Sequence, residues 1–240
     1  MLEIKNLTIT SGKKEIIHNL NLGIKSGQIH VLMGPNGSGK STLAASLMGH
    51  PSYQITSGKI YLDKKDITLL PVDKRAKLGL YLAMQSPVSI PGVSVINLIR
   101  SAYKNLNGKN PEPLKFVKEI QGKLRDLKLE DSFMTRSIND SFSGGEKKKV
   151  ELLQISLLKP KYLILDETDS GLDVDSLKIV GEGIKKNSGP KVGILLITHY
   201  QRILKYIKPD FVHVLVGGKI VKEGDYKLAA EIEERGYAQV

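Results

Sequence analysis

The sequence has no cysteine in 240 residues, which excludes a disulfide framework, a thiolate nucleophile and a cysteine-held metal within the chain. It has no run of about 18 uncharged apolar residues, the length a membrane-crossing helix needs. The opening Met1-Leu2-Glu3-Ile4-Lys5 lacks the basic-then-apolar order of an export signal. The expectation is a cytoplasmic protein with no direct membrane insertion. Aromatic residues are few, and they do not interleave with the lysines as a platform for stacked bases requires. Lys13-Lys14, Lys64-Lys65 and Lys185-Lys186 are scattered, so the net charge of +11 is read as a solvated surface with no nucleic-acid partner. Hydrophobic residues at 40% and charged residues at 25% suffice for a globular domain with a sizeable core.

Leu2 to Thr10 and Glu15 to Ile24 alternate in polarity around Ser11-Gly12-Lys13-Lys14 and predict paired antiparallel strands. Gln28 to Met33 is an apolar strand entering a glycine-rich loop, and Ser41 to Met48 then carries helix formers. Leu78 to Met84 reads as another buried strand, followed by the breakers Pro87, Pro91 and Gly92. Between about Ser86 and Asn139, an apolar stripe over Val93 to Leu106 and the helical spacing of Val117, Ile120, Leu124 and Leu127 predict an inserted helical lobe. Helix Gly145 to Leu158, strand Tyr162 to Leu165, helix Val174 to Lys186 and strands Val192 to Ile197 and Phe211 to Val216 then alternate. The class is therefore α/β, with a parallel sheet covered by helices. No internal repeat or low-complexity tract interrupts it.

Gly34-Pro35-Asn36-Gly37-Ser38-Gly39-Lys40-Ser41 fits G-x-x-x-x-G-K-[ST] between a predicted strand and helix, the context in which that pattern cradles a nucleotide triphosphate. Its glycines let backbone N–H groups converge on phosphate at a helix N-terminus, and Lys40 adds positive charge. The Ser41 hydroxyl is suited to Mg²⁺; Thr42 completes the candidate nucleotide-binding set. Tyr162-Leu163-Ile164-Leu165-Asp166-Glu167 is an apolar strand ending in two carboxylates. Adjacent acids share one site only where the strand is ending. Asp166 is expected to hold Mg²⁺, and Glu167 to orient and deprotonate the attacking water.

Ser143 followed three residues later by Glu146 reads as a capping box opening a helix. Ser143-Gly144-Gly145-Glu146 also resembles the LSGGQ signature of ABC ATPases, with Phe142 and Glu146 in the places of Leu and Gln. That resemblance implies an ABC ATPase nucleotide-binding domain with a P-loop parallel-sheet core, an antiparallel β subdomain and an inserted helical subdomain. On it, 1–240 is a single domain, 1–85 and 143–240 are the catalytic α/β core, and 86–142 is the helical subdomain. It implies Mg-dependent ATP hydrolysis in a transient, nucleotide-dependent homodimer, in which Ser143, Gly144 and Gly145 face the nucleotide of the other protomer. Gln85 resembles the Q-loop glutamine, which senses metal and water. Asp173 belongs to a D-loop, Ser170-Gly171-Leu172-Asp173, with glycine where alanine is usual. His199 resembles the switch histidine, while His18, His30, His50 and His213 are read as structural. No aromatic residue stands in Thr8 to Ile17 to stack adenine; Ile16 or Ile17 is the aliphatic substitute, with GTP tolerated as a consequence.

Longer stretches are similar to the SufC-type ATPases of SUF iron–sulfur cluster assembly. They include Ile90-Pro91-Gly92-Val93, Glu167-Thr168-Asp169-Ser170-Gly171-Leu172-Asp173-Val174-Asp175, Thr198-His199-Tyr200-Gln201-Arg202-Ile203-Leu204 and Tyr206-Ile207-Lys208-Pro209-Asp210. This likeness implies SufB- and SufD-type scaffold partners that supply the thiolates this chain lacks. Val88, Ile90, Val93 and Ile96, near Gln85, are the candidate apolar contacts. The alternative is the ATPase subunit of an ABC membrane transporter.

Overall fold

The computed structural model describes residues 1–198 and 201–237. Strands β1 (Leu2–Ser11) and β2 (Lys14–Ile24) form the expected hairpin. Strand β3 (Ile29–Met33) leads through the glycine-rich loop into helix α1 (Lys40–Met48). Next come β4 (Gln54–Leu62), β5 (Lys65–Asp66), α2 (Val72–Lys77) and β6 (Leu80–Ala83). The segment that follows holds β7 (Ile90–Ser94), α3 (Val95–Asn107), α4 (Pro113–Asp126) and β8 (Ser137–Ile138). The rest comprises α5 (Gly144–Leu158), β9 (Tyr162–Asp166), α6 (Val174–Asn187), β10 (Gly193–Ile197), β11 (Phe211–Val216), β12 (Lys219–Gly224) and α7 (Tyr226–Arg235).

A six-stranded sheet in the order β12-β11-β3-β10-β9-β6 is parallel except for β12 at its edge, and a four-stranded antiparallel sheet in the order β2-β1-β4-β5 packs over it. Side chains alternate across a strand, and the central strands use both faces. Leu32, Ile164, Leu195 and Ile197 join α1 and the antiparallel sheet in one core, while Val31, Met33, Leu163, Leu165, Ile194 and Leu196 join the helices opposite. Ile164 is fully buried, and truncating such a residue to alanine costs about 2–5 kcal/mol. Among the described residues no helix is long and apolar enough to cross a membrane.

The inserted segment is helical but also carries the small sheet β7-β8. On α4 the buried face starts from Phe116, with Ile120 and Leu124, so it lies one residue from the expected Val117. β6 starts later than expected because Leu78 still caps α2 and Gly79 takes a positive φ of 101°, a conformation glycine adopts without steric cost.

Candidate active site

The phosphate loop starts where β3 leaves the sheet. A side chain at Gly34 would collide with the Leu215 carbonyl oxygen of β11, and one at Gly39 would meet Ile17 Cδ1 at 2.7 Å and Ile16 Cγ2 at 3.3 Å. Glycine at both positions is thus a packing requirement. Ile16 and Ile17 of β2 thus lie against the loop. Lys40 opens α1, buried, and donates its ammonium to the carbonyl oxygens of Gly34 at 2.8 Å and Pro35 at 2.9 Å. Burial pulls its pKa down, against the charges of Glu167 and Asp166. Ser38 turns a buried hydroxyl into the loop with no hydrogen-bond partner among the described residues. An orphaned donor beside a lysine and a helix N-terminus fits a phosphate oxygen.

Asp166 ends β9 beneath this loop and accepts a hydrogen bond from Ser41 Oγ at 3.2 Å. Burial raises its carboxyl above the usual range, the Ser41 bond lowers it and the neighbouring Glu167 charge raises it again. A buried carboxylate and hydroxyl side by side are hard oxygen donors that fit Mg²⁺. Glu167 follows in the left-handed region, at φ 47°, with its N–H donated to the Ile197 carbonyl at 2.9 Å. That conformation costs a non-glycine residue about 1–2 kcal/mol; it breaks the strand's alternation, so that Glu167 meets Gln85 from β6's end. Gln85 Nε2 donates to Glu167 Oε2 at 2.5 Å. The geometry thus brings Lys40, Ser41, Asp166, Glu167 and Gln85 together.

Ser143 and Glu146 form the reciprocal capping box, with Ser143 N–H donating to Glu146 Oε2 at 2.7 Å and Glu146 N–H to Ser143 Oγ at 3.3 Å. Asp173 caps α6, accepting from the Ser176 N–H at 2.7 Å and the Ser176 hydroxyl at 3.1 Å. A side chain at Gly145 would meet Ser176 Oγ at 2.8 Å. Gly145 and Asp173 therefore meet at Ser176, at paired helix starts, and Ser143 and Gly144 directly precede Gly145 in the chain. Gly171 has φ 71° with open space around it, a backbone reason for glycine in place of the usual alanine. His199 lies outside the described residues. The preceding Thr198 donates from its hydroxyl to Asp169 Oδ2 at 2.5 Å, tying the end of β10 to the loop after Glu167. His30 and His213 are buried and hydrogen-bonded to each other at 2.9 Å, as structural residues should be.

Three polar side chains that no local sequence motif marks also bear on this site. Lys148 of α5, within the Lys147-Lys148-Lys149 run, is buried and donates to the carbonyl oxygens of Met84 at 2.6 Å and Gln85 at 3.0 Å. Glu151, one turn on, accepts the Met84 N–H at 3.1 Å, and burial pushes its carboxyl up to about 7. Tyr237, past α7, accepts the Gly34 N–H on its hydroxyl at 3.2 Å.

A family profile described as "ABC transporter" matches residues 17–170. The chain is 48% identical over 241 residues to "Probable ATP-dependent transporter ycf16" of Antithamnion sp., covering 99% of this chain and 96% of that protein. It is 47% identical over 238 residues to "Vegetative protein 296" of Bacillus subtilis (strain 168), covering 98% and 91%. In fold it resembles the dimeric structure of a bacterial ABC transporter cassette, with a TM-score of 0.81, 22% identity and coverage of 94% and 98%. A cassette bound to ADP and phosphate in a post-hydrolysis state superposes with a TM-score of 0.80, also at 22% identity, covering 94% and 98%. With a phosphate cradle and paired carboxylates assembled on that fold, the chain belongs to the ABC transporter family and is an ATPase that uses ATP with Mg²⁺.

Proposed function

We propose that this ATPase is a cytoplasmic motor that drives SufB- and SufD-type scaffold proteins in iron–sulfur cluster assembly, through a transient head-to-tail homodimer closed by ATP. Gly34 to Thr42 bind the triphosphate, Ser41, Asp166 and Gln85 hold Mg²⁺, and bound Mg²⁺ neutralises phosphate charge. Glu167 orients and deprotonates water, assisted by Gln85 and His199, and Ser143, Gly144, Gly145 and Asp173 act across the dimer. Residues 1–85 and 143–240 form the catalytic core, and 86–142 the lobe that meets the scaffold.

The observation that carries the partner reading is a groove of about 910 Å³ lined by Met84, Val88, Ile90 and Leu98 beside α2 and the open edge of β6. Met84, Val88 and Ile90 are exposed, and Met84 adjoins Gln85, so a partner seated there touches the segment that holds Glu167. Val93 and Ile96 are half-buried, leaving Val88 and Ile90 as the stronger contacts. An apolar groove of this size suits a protein segment. The chain has no cysteine, so in this reading the thiolate ligands of a cluster belong to the partner.

A second reading, the ATPase of a membrane transporter, is favoured by the name of the Antithamnion relative, a probable ATP-dependent transporter. Affinity purification of the tagged protein from its own cells, followed by mass spectrometry, separates the two. A cysteine-bearing scaffold without membrane spans supports the first, a polytopic membrane protein the second. Substituting Val88→Asp/Ile90→Asp is expected to abolish either capture.

A further inference from the structure

We infer that Lys148 and Glu151 are positioning residues for hydrolysis, gripping the backbone at Met84 and Gln85 so that the Gln85 amide stays on Glu167. This rests on the assignment of Glu167 and Gln85 to water activation. Both side chains come from one face of α5, are about 5% and 6% exposed, and pair with each other at 3.3 Å. Their four polar contacts divide cleanly. Glu151 takes the Met84 N–H, and Lys148 gives to the Met84 and Gln85 carbonyls as well as to Glu151.

The grip sits where the backbone most needs one. β6 ends at Ala83, β7 starts only at Ile90, and the peptide groups of Met84 and Gln85 lie beyond the sheet's ladder. Water would otherwise hydrate them, and Met84 and Gln85 themselves are exposed. A glutamine on such a segment holds its 2.5 Å bond to Glu167 only if its own backbone is fixed, and the fixing groups are buried on a rigid helix. A catalytic constellation depends on supporting contacts of this kind, and a misplacement of about 1 Å costs about 10²-fold in rate. The same helix starts at Ser143. Movement of the signature end of α5 is therefore delivered, through Lys148 and Glu151, to the residue that orients Glu167. In the dimer this links occupancy of one nucleotide site to water activation in the other.

The test is the paired substitution Lys148→Met/Glu151→Met in the full chain. It removes every polar grip while leaving no lone buried charge, and exchanges of this type often keep or raise stability. The expected result is an unchanged melting temperature, ATP affinity within about twofold of wild type, and kcat lower by about 10- to 10²-fold. In a Gln85→Ala background the paired substitution is expected to lower kcat no further, because the grip acts through Gln85. Glu151→Asp is the second variant: it keeps the charge pair but draws the carboxylate back from the Met84 N–H, and a smaller fall in kcat at unchanged ATP affinity is expected. Wild-type kcat in the folded double variant, or a loss that multiplies fully with that of Gln85→Ala, overturns the inference. If Gln85→Ala and Glu167→Gln themselves leave hydrolysis intact, the site assignment beneath it falls instead.

Discussion

Gln85 and Glu167, 82 residues apart in sequence, are joined by a hydrogen bond of 2.5 Å from the glutamine amide to the carboxylate. The bond fixes the orientation of the carboxylate through its Oε2. Gln85→Ala is expected to cut kcat by about 10- to 10²-fold while KM for ATP changes little, because orientation is lost and the phosphate cradle is not. Steady-state phosphate release across an ATP titration checks this.

Lys40 answers to a different measurement. Its ammonium is compact, buried, and bonded to two loop carbonyls. The planar guanidinium of Lys40→Arg cannot occupy that position. ATP affinity is expected to fall at least tenfold, roughly the loss of one charge-assisted hydrogen bond of about 1.5–3 kcal/mol, and calorimetric titration reads it directly.

The Tyr237 hydroxyl receives the N–H of Gly34 at the first turn of the phosphate loop. Tyr237→Phe keeps the ring's packing and removes only the acceptor. A several-fold higher KM for ATP at near-normal kcat is expected, whereas an effect confined to thermal stability would assign the tyrosine to packing alone.

The histidine pair sets an acid limit on stability. His213 Nδ1 bonds Glu223 at 2.7 Å and His213 Nε2 bonds His30 Nδ1 at 2.9 Å. With one proton each, His213 Nδ1–H meets Glu223 and His30 Nδ1–H meets His213 Nε2, and a second proton on His213 would set its Nε2–H against the Nδ1–H of His30. Burial, together with the charge of its neighbour, holds His30 at about 4 against an ordinary 6.5, and burial also lowers His213. Both folded values lie below the unfolded one, so the unfolded chain binds protons first. Stability is complete above about pH 6.5 and is lost as pH falls toward 4. Melting temperature followed from pH 7.5 to 4.5 is expected to decline, and a smaller decline is expected for His30→Phe/His213→Phe.

The parts of this site legible in sequence are those encoded locally. Gly34 to Ser41, the capping box of Ser143 and Glu146, and the apolar run ending at Asp166 each declare themselves within eight or fewer residues. β4, β12 and α7 did not. Gly58 interrupts β4, β12 is an edge strand rich in Lys219, Lys222 and Glu223, and neither shows the alternation a half-buried strand needs. β7 contains Pro91 and Gly92, which read as breakers. Lys148 and Glu151 look like part of a charged run. Yet each falls four residues before a buried apolar residue, Leu152 and Ile155, and that helical phase already points them inward. Their target on Met84 lies 64 and 67 residues back along the chain, beyond any local pattern. The left-handed turn at Glu167 is likewise set by its N–H bond to Ile197, a tertiary contact.

The most direct test of the account is ATP turnover by Glu167→Gln, measured alongside ATP binding in the same preparation. With Glu167 as the group that activates water, kcat falls on the order of 10²- to 10⁴-fold while ATP remains bound, and the protein elutes as a dimer with ATP present. Hydrolysis at the wild-type rate would contradict it.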